Sequence, residues 1–243
     1  MATGIRIAMW SGPRNISTAL LRSFGNRPDT YVSDEPFYAH YLAHTGKDHP
    51  GREEVIAHHE SDWREVAREL TGPIPGGKAV WYQKHMSHHL LPHMEREWML
   101  DLTHAFLIRS PREMLGSLAQ VLDEPVLADT GLPQQVALYD WLESRTRRRP
   151  PVIDARDVLE DPPRLLARLC AALGIAYTEA MLHWPAGSRA TDGVWAKHWY
   201  ATVERSTGFE PYKPDRRVPP ARLTSLLDEC EALYARLYPR RLT

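Results

Sequence analysis

Apolar residues come in short blocks separated by turn residues. Ile5 to Trp10 is a compact apolar run that stops at Ser11-Gly12-Pro13, a turn signal. Ser17 to about Phe24 then follows a helical spacing, so the chain opens as strand, loop, helix. Gly25 to Asp29 is a break, and Tyr31 to Ser33 reads as a second short strand. Residues 39–77 are polar and rich in His, Glu and Arg, with a helical stripe at Trp63 to Leu70. Lys78 to Lys84 reads as a strand, Leu90 to Met99 as a helix and Ala105 to Arg109 as a buried strand. Pro111 to Leu122 is expected to be a helix, since proline suits a first turn. Val136 to Arg147 is another helix, Pro151 to Asp154 a short strand, and Pro163 to Leu173 a helix closed by Gly174. His183 to Asp215 lacks periodicity, and Arg222 to Leu237 is the last helix.

Strands alternating with helices imply an α/β fold, a central mainly parallel sheet flanked by helices in three layers. Ligands of such sheets bind beyond the carboxyl ends of the strands. The residues to inspect are therefore those just after Trp10, Gln83, Ile108 and Ile153.

The 243 residues suit one domain, spanning 1–243. At 43% hydrophobic residues a sizeable core can form. The formal net charge of −1 argues against nucleic acid or an anionic membrane as partner. Cys170 and Cys230 sit in apolar helical patterns and read as buried thiols. No apolar run reaches the roughly 18 residues of a membrane helix, and Met1 to Ile7 lacks a signal-peptide core. A soluble, cytoplasmic protein is expected.

The loop after the first strand, Ser11-Gly12-Pro13-Arg14-Asn15-Ile16-Ser17-Thr18, feeds a helix N-terminus. Backbone N–H groups and the helix dipole favour an anion there. Arg14 adds a fork of donors, and the hydroxyls of Ser17 and Thr18 can bond phosphate oxygens. It is not a Walker A loop, because Asn15-Ile16-Ser17 replaces Gly-Lys-Ser/Thr. The segment taken alone reads equally well as an ordinary capped helix.

Pro13-Arg14-Asn15-Ile16-Ser17-Thr18 is similar to the Pro-Lys/Arg-Ser-Gly-Thr/Ser-Thr loop of the sulfotransferase family, with Ile16 in place of the usual Gly. Ala105-Phe106-Leu107-Ile108-Arg109-Ser110-Pro111-Arg112-Glu113, with Ser117 eight residues after Arg109, resembles that family's strand-Arg-Asp-Pro-Arg segment. Ile153 to Gly174 looks like its strand, acidic-Leu turn and closing helix. Thr191 to His198 resembles its late Gly-x-Trp-Lys segment, and Gln83-Lys84-His85 with Leu90-Leu91-Pro92 its Lys-Thr-His…Leu-Pro stretch. The resemblance extends from residue 5 to about residue 200 and implies a P-loop-type fold. It implies 3′-phosphoadenosine 5′-phosphosulfate (PAPS) as sulfuryl donor, with no metal required. Pro13, Arg14, Asn15, Ile16, Ser17 and Thr18 would hold the 5′-phosphosulfate, and Arg109, Ser117 and Arg189 the 3′-phosphate.

Sulfuryl transfer is an in-line displacement, comparable to phosphoryl transfer. Arg14 would stabilise the leaving phosphate with help from Lys84. His85 is the first choice of general base, since imidazole titrates near neutrality, and Glu35, after a strand end, is the second. His89 and His93, one helical turn apart, have a spacing that suits zinc, but no Glu lies between them and no Cys is near, and no metal site is expected. Trp10, Phe37, Trp195 and Trp199 are all candidates to stack on adenine. Thr202-Val203 resembles a short dimer motif with misfitting flanks, which leaves a homodimer open. Residues 39–77 and 123–133 are expected to shape the pocket of a small-molecule acceptor. A P-loop small-molecule kinase and a non-catalytic nucleotide-binding relative are the alternatives.

Overall fold

The computed structural model describes residues 4–214 and 217–243. The leader reading at residues 1–3 and the end of the aperiodic stretch at residue 215 lie outside the described residues. Five strands form one sheet: β1 (Ile5–Ser11), β2 (Thr30–Asp34), β3 (Val80–Met86), β4 (Thr103–Ile108) and β5 (Val152–Asp154). Their spatial order is β2-β3-β1-β4-β5, and every neighbouring pair is parallel. The mainly parallel sheet expected from the sequence is thus parallel throughout these strands.

The two-residue side-chain period of a strand builds both halves of the core. In β1, Ile7 and Met9 point to one face and Ala8 and Trp10 to the other. The first face packs against α1 (Ser17–Gly25) and α8 (Pro162–Leu173), which contribute Leu20, Leu21, Phe24, Leu165, Leu166 and Leu169. The second packs against α4 (Trp63–Thr71) and α6 (Leu132–Thr146), through Trp63, Val66, Val136, Tyr139 and Leu142. Between these lie α2 (Tyr38–Thr45), α3 (Arg52–His58), α5 (Pro111–Leu118) and α7 (Ala155–Glu160), then α9 (Ala196–Trp199) and α10 (Thr224–Leu237). None of the described helices is long and apolar enough to cross a membrane.

Several sequence expectations shift. Leu90 to Met99 is not an α-helix: its second half begins a 3-10 turn, Glu97–Asp101. Pro92 removes a backbone donor there, and Leu91 N–H and Met94 Sδ close a local turn instead. The residues 39–77 hold two further helices, α2 and α3, whose histidines mask their amphipathic spacing. The strand read as Lys78 to Lys84 runs on to Met86, with consequences for the site. Cys170 and Cys230 are free and buried, as expected.

His85 and His104 are buried on the α4/α6 side beside Trp10. Trp10 Nε1–H donates to His104 Nδ1 at 3.0 Å, and His104 Nε2–H donates to the Met99 carbonyl at 2.8 Å. Burial pulls their pKa values from 6.5 down to about 3 for His85 and about 4 for His104. Above pH 6.5 these imidazoles are neutral in both states and the fold keeps its full stability; below it the unfolded chain takes up protons that the buried rings do not. That stability is lost as pH falls through the folded values. Unfolding free energies from urea titrations should therefore drop between about pH 6.5 and about pH 5, by up to about 1.4 kcal/mol per pH unit per histidine. Equal stability at the two pH values would show that these rings are protonated in the fold.

Candidate active site

The carboxyl ends of β1, β2, β3 and β4 open onto one cleft of about 630 Å³, within the roughly 300–1,000 Å³ of small-ligand sites. The loop from β1 to α1 forms part of its wall. A Cβ on Gly12 would lie 2.6 Å from the Thr130 carbonyl oxygen, so only glycine lets the loop pass. Arg14 follows in a left-handed conformation with φ 56°, a strained backbone for a non-glycine residue. Two contacts hold it there. Its Nε–H donates to Ser117 Oγ at 2.9 Å, and Arg109 Nη1–H donates to its carbonyl oxygen at 2.5 Å. Asn15 Oδ1 accepts from Ser17 N–H at 3.0 Å, and the first helical bond is Leu20 N–H to the Ile16 carbonyl. The N–H groups of Thr18 and Ala19 thus precede the helical ladder at the dipole's positive end.

Arg217 joins Arg14 and Arg109 on the cleft wall. Burial first, then Arg217 and Arg109, lowers the pKa of the Arg14 guanidinium. Arg109 also pairs with Glu113 at 3.1 Å, so the three guanidinium groups share one carboxylate and keep a net positive charge that favours an anion. Arg217 reaches this place because its backbone rests on α5: a Cβ at Gly116 would come within 2.4 Å of the Arg217 carbonyl oxygen. Gly116→Ala should displace that segment and weaken anion binding at least about tenfold by calorimetry, about 1.4 kcal/mol. Wild-type affinity would show that the backbone at 217 does not set the site.

A second cluster lies where β2 and β3 end. Lys84 Nζ donates to Asp34 Oδ1 at 2.9 Å, Glu35 Oε1 at 2.6 Å and Tyr200 Oη at 2.8 Å. Tyr200 in turn donates to Asp34 Oδ2 at 2.6 Å. All three ammonium donors are thereby used. The two carboxylates hold the Lys84 pKa well above its usual value against the opposing effect of burial. Glu35 lines the cleft with φ 44°. Burial raises its pKa, Lys84 opposes the rise and Asp34 adds to it.

The rest of the wall is aromatic and imidazole: Tyr38, Tyr41, His49, His88, His89 and Trp199. Tyr38 Oη and His49 Nδ1 are 2.8 Å apart. His89 stacks on Tyr38 at 4.8 Å and on Tyr41 at 4.7 Å. Neither His89 ring nitrogen has a partner among the described residues. Burial brings the His88 pKa down to about 3.

Of the residues singled out in the sequence, Pro13, Arg14, Asn15, Ile16, Ser17, Thr18, Glu35, Lys84, Arg109 and Ser117 share this cleft. His85 and Arg189 do not line it. Because β3 extends to Met86, adjacent Lys84 and His85 point to opposite faces. His85 stacks on Trp10 at 4.4 Å and Phe37 at 5.7 Å within the core, and its Nε2 faces Gln83 Oε1 at 3.3 Å. The Arg189 guanidinium folds back onto the carbonyls of its own loop, those of Pro185 and Ser188. Its N–H donates to Asp192 Oδ2 at 2.7 Å, and Asp192 pairs with the buried Arg22. Arg217 and Tyr200 went unnoticed in the sequence, since both lie in stretches without periodicity. Asp34 carried a visible signal, an acidic pair closing a strand. Thr202 and Val203 line the cleft.

Residues 5–240 match the model of a family described as sulfotransferase domain. Two curated Arabidopsis thaliana proteins are similar: branched-chain-amino-acid aminotransferase-like protein 1, at 39% identity over 228 residues, and protein 2, at 36% over 228 residues. Each alignment takes in 94% of this chain and 40% of the relative, so the chain spans well under half the length of those proteins. Among solved structures, the sulfotransferase domain of the Synechococcus PCC 7002 olefin synthase superposes with a TM-score of 0.58 at 16% identity, over 94% of both chains. A sulfotransferase from Alicyclobacillus acidocaldarius gives 0.55 at 14% identity, over 98% of this chain and 97% of that one. The sulfotransferase domain from the curacin biosynthetic pathway gives 0.53 at 15% identity, over 97% and 98%. These likenesses establish a shared fold.

Proposed function

The chain belongs to the sulfotransferase domain family, and on that premise we propose that it moves a sulfuryl group from PAPS to a hydroxyl or amine of a small-molecule acceptor. The observation that carries this reading is the meeting of three guanidinium groups, Arg14, Arg109 and Arg217, with the α1 N-terminus in one cleft. That donor set suits phosphate groups: fork donors from the guanidinium groups and backbone N–H groups at the helix start. In this reading Arg14, Ser17, Thr18 and the loop N–H groups hold the 5′ end, and Arg109, Ser117 and Arg217 the 3′-phosphate. PAPS supplies a sulfuryl group activated by its bond to the 5′-phosphate.

This chain's own residues then have three tasks. The Tyr38, Tyr41, His49, His88 and His89 wall positions the acceptor, and the His89 nitrogens, which have no partner among the described residues, suit its polar groups. Glu35 takes the acceptor's proton on Oε2, since Lys84 engages Oε1. Arg14 and the loop amides stabilise charge developing on the leaving phosphate oxygen. Lys84 is a positioning residue here, because its donors are committed to Asp34, Glu35 and Tyr200.

The test is thermal stability with 3′-phosphoadenosine 5′-phosphate, against ATP with Mg²⁺ and against AMP. A ligand at about a hundred times its Kd adds about 2.7 kcal/mol, a Tm rise of roughly 5–10 °C for a chain of this size. The rise should appear with the bisphosphate and vanish in Arg109→Ala. A rise with ATP and Mg²⁺ alone would replace this reading with a kinase.

A further inference from the structure

Outside the cleft, three histidines meet on the surface. His40 and His44 lie one turn apart on α2, and His93 comes from the turn after β3. One ring nitrogen from each lies within 4.8 Å of the other two. His40 Nε2 and His93 Nε2 are only 3.0 Å apart, and the His44 ring lies 4.0 Å from that of His40 and 4.9 Å from that of His93, between centroids. A tetrahedral zinc with Zn–N bonds of about 2.0–2.1 Å sets its ligand nitrogens about 3.3–3.4 Å apart. Small side-chain rotations bring the three nitrogens to that spacing.

The surroundings favour a metal. His40 is buried, and its Nδ1–H donates to the Ser61 carbonyl at 2.8 Å. That bond turns Nε2 into a lone-pair donor aimed at the cluster, the way backbone carbonyls orient metal-bound histidines. His44 Nδ1 bonds its own helix at the His40 carbonyl, leaving Nε2 for an ion. His44 and His93 are exposed, so an ion can enter and water can fill a fourth position.

We propose that His40, His44 and His93 form a binding site for a divalent transition ion of the zinc type, pinning α2 to the segment that follows β3. None of the three lines the cleft, so the ion is structural. It ties together two elements that carry cleft residues, Tyr38 and Tyr41 on one and His88 and His89 on the other. The absence of a metal site expected from the sequence rested on pairing His89 with His93. In the fold His89 turns to Tyr38 and Tyr41, and His93 turns to His40.

The experiment uses untagged chain, stripped with a chelator, dialysed and titrated with zinc chloride. Bound zinc is counted by elemental analysis, and thermal stability is followed in parallel. We expect one zinc per chain and a rise in Tm. His44→Gln and His93→Gln should each weaken binding at least about tenfold and abolish the rise. Both positions are exposed, so the metal-free variants should melt like the metal-free parent, and His58→Gln on α3 serves as the unaffected control. No stoichiometric zinc in the parent, or zinc retained by the His44→Gln/His93→Gln double variant, overturns the proposal. These readouts are independent of sulfuryl transfer.

Discussion

Glu35→Gln should lower kcat by about 10²–10⁴, the usual contribution of a positioned acid or base. The bisphosphate-induced rise in Tm should survive, because Glu35 is given no part in holding the phosphates. The amide keeps the shape of the carboxylate and removes its basicity. A base works only when ionised, and burial raises the Glu35 pKa above the ordinary 4.5. Activity should therefore fall as pH drops through that raised value, giving an acid limb above the normal carboxylate range. In Glu35→Gln the limb should disappear with the activity. Wild-type kcat in this variant, with the limb intact, would assign the proton to another group. His85 would not be a strong successor, since it is buried with its pKa pulled down to about 3 and does not line the cleft.

Lys84→Met should destabilise the fold by about 3–5 kcal/mol, the cost of stranding buried charge by removing its partner. Lys84 and Asp34 side chains are each 1% exposed and Glu35 13%, so water reaches the stranded carboxylates poorly. Methionine keeps most of the volume, which confines the change to charge and hydrogen bonding. Without the ammonium that opposes it, the upward shift of the Glu35 pKa grows. Protonation of Glu35 as pH falls then relieves part of the strain, so the deficit against wild type should narrow in acid. Adding Asp34→Asn should recover part of the loss at neutral pH. Urea titrations of the three proteins across pH measure this directly. A Lys84→Met variant as stable as wild type would mean that the desolvation cost of the ionic cluster already cancels its attraction.

Much of the fold was legible because its signals are local. A strand announces itself by an apolar block, a helix by its spacing, and their boundary by glycine or proline. Ile5–Ser11, Thr103–Ile108 and Pro162–Leu173 were found within two residues on that basis. The loop after β1 and the Arg109 to Ser117 segment were legible for the same reason, since strand, turn and helix start are contiguous in sequence. Where a polar face hid the period, as in α2, the element was missed.

What the sequence could not determine is which way a side chain faces when that depends on where a strand stops. Two more residues of β3 turn His85 from a neighbour of the chemistry into a core residue packed on Trp10. Nor could it supply partners from distant, aperiodic chain. Arg217 is set by close packing on Gly116, and Tyr200 by its bonds to Asp34 and Lys84, 166 and 116 residues away. The sequence alone determined the order of the five strands and the strand-loop-helix opening of the chain, because those follow from local periodicity and turn chemistry. The tertiary structure alone decided that Glu35 rather than His85 lies on the cleft, that Arg217 rather than Arg189 joins the cations, and that His40, His44 and His93 meet. Each of those depends on contacts between segments far apart in the chain, which no local pattern encodes.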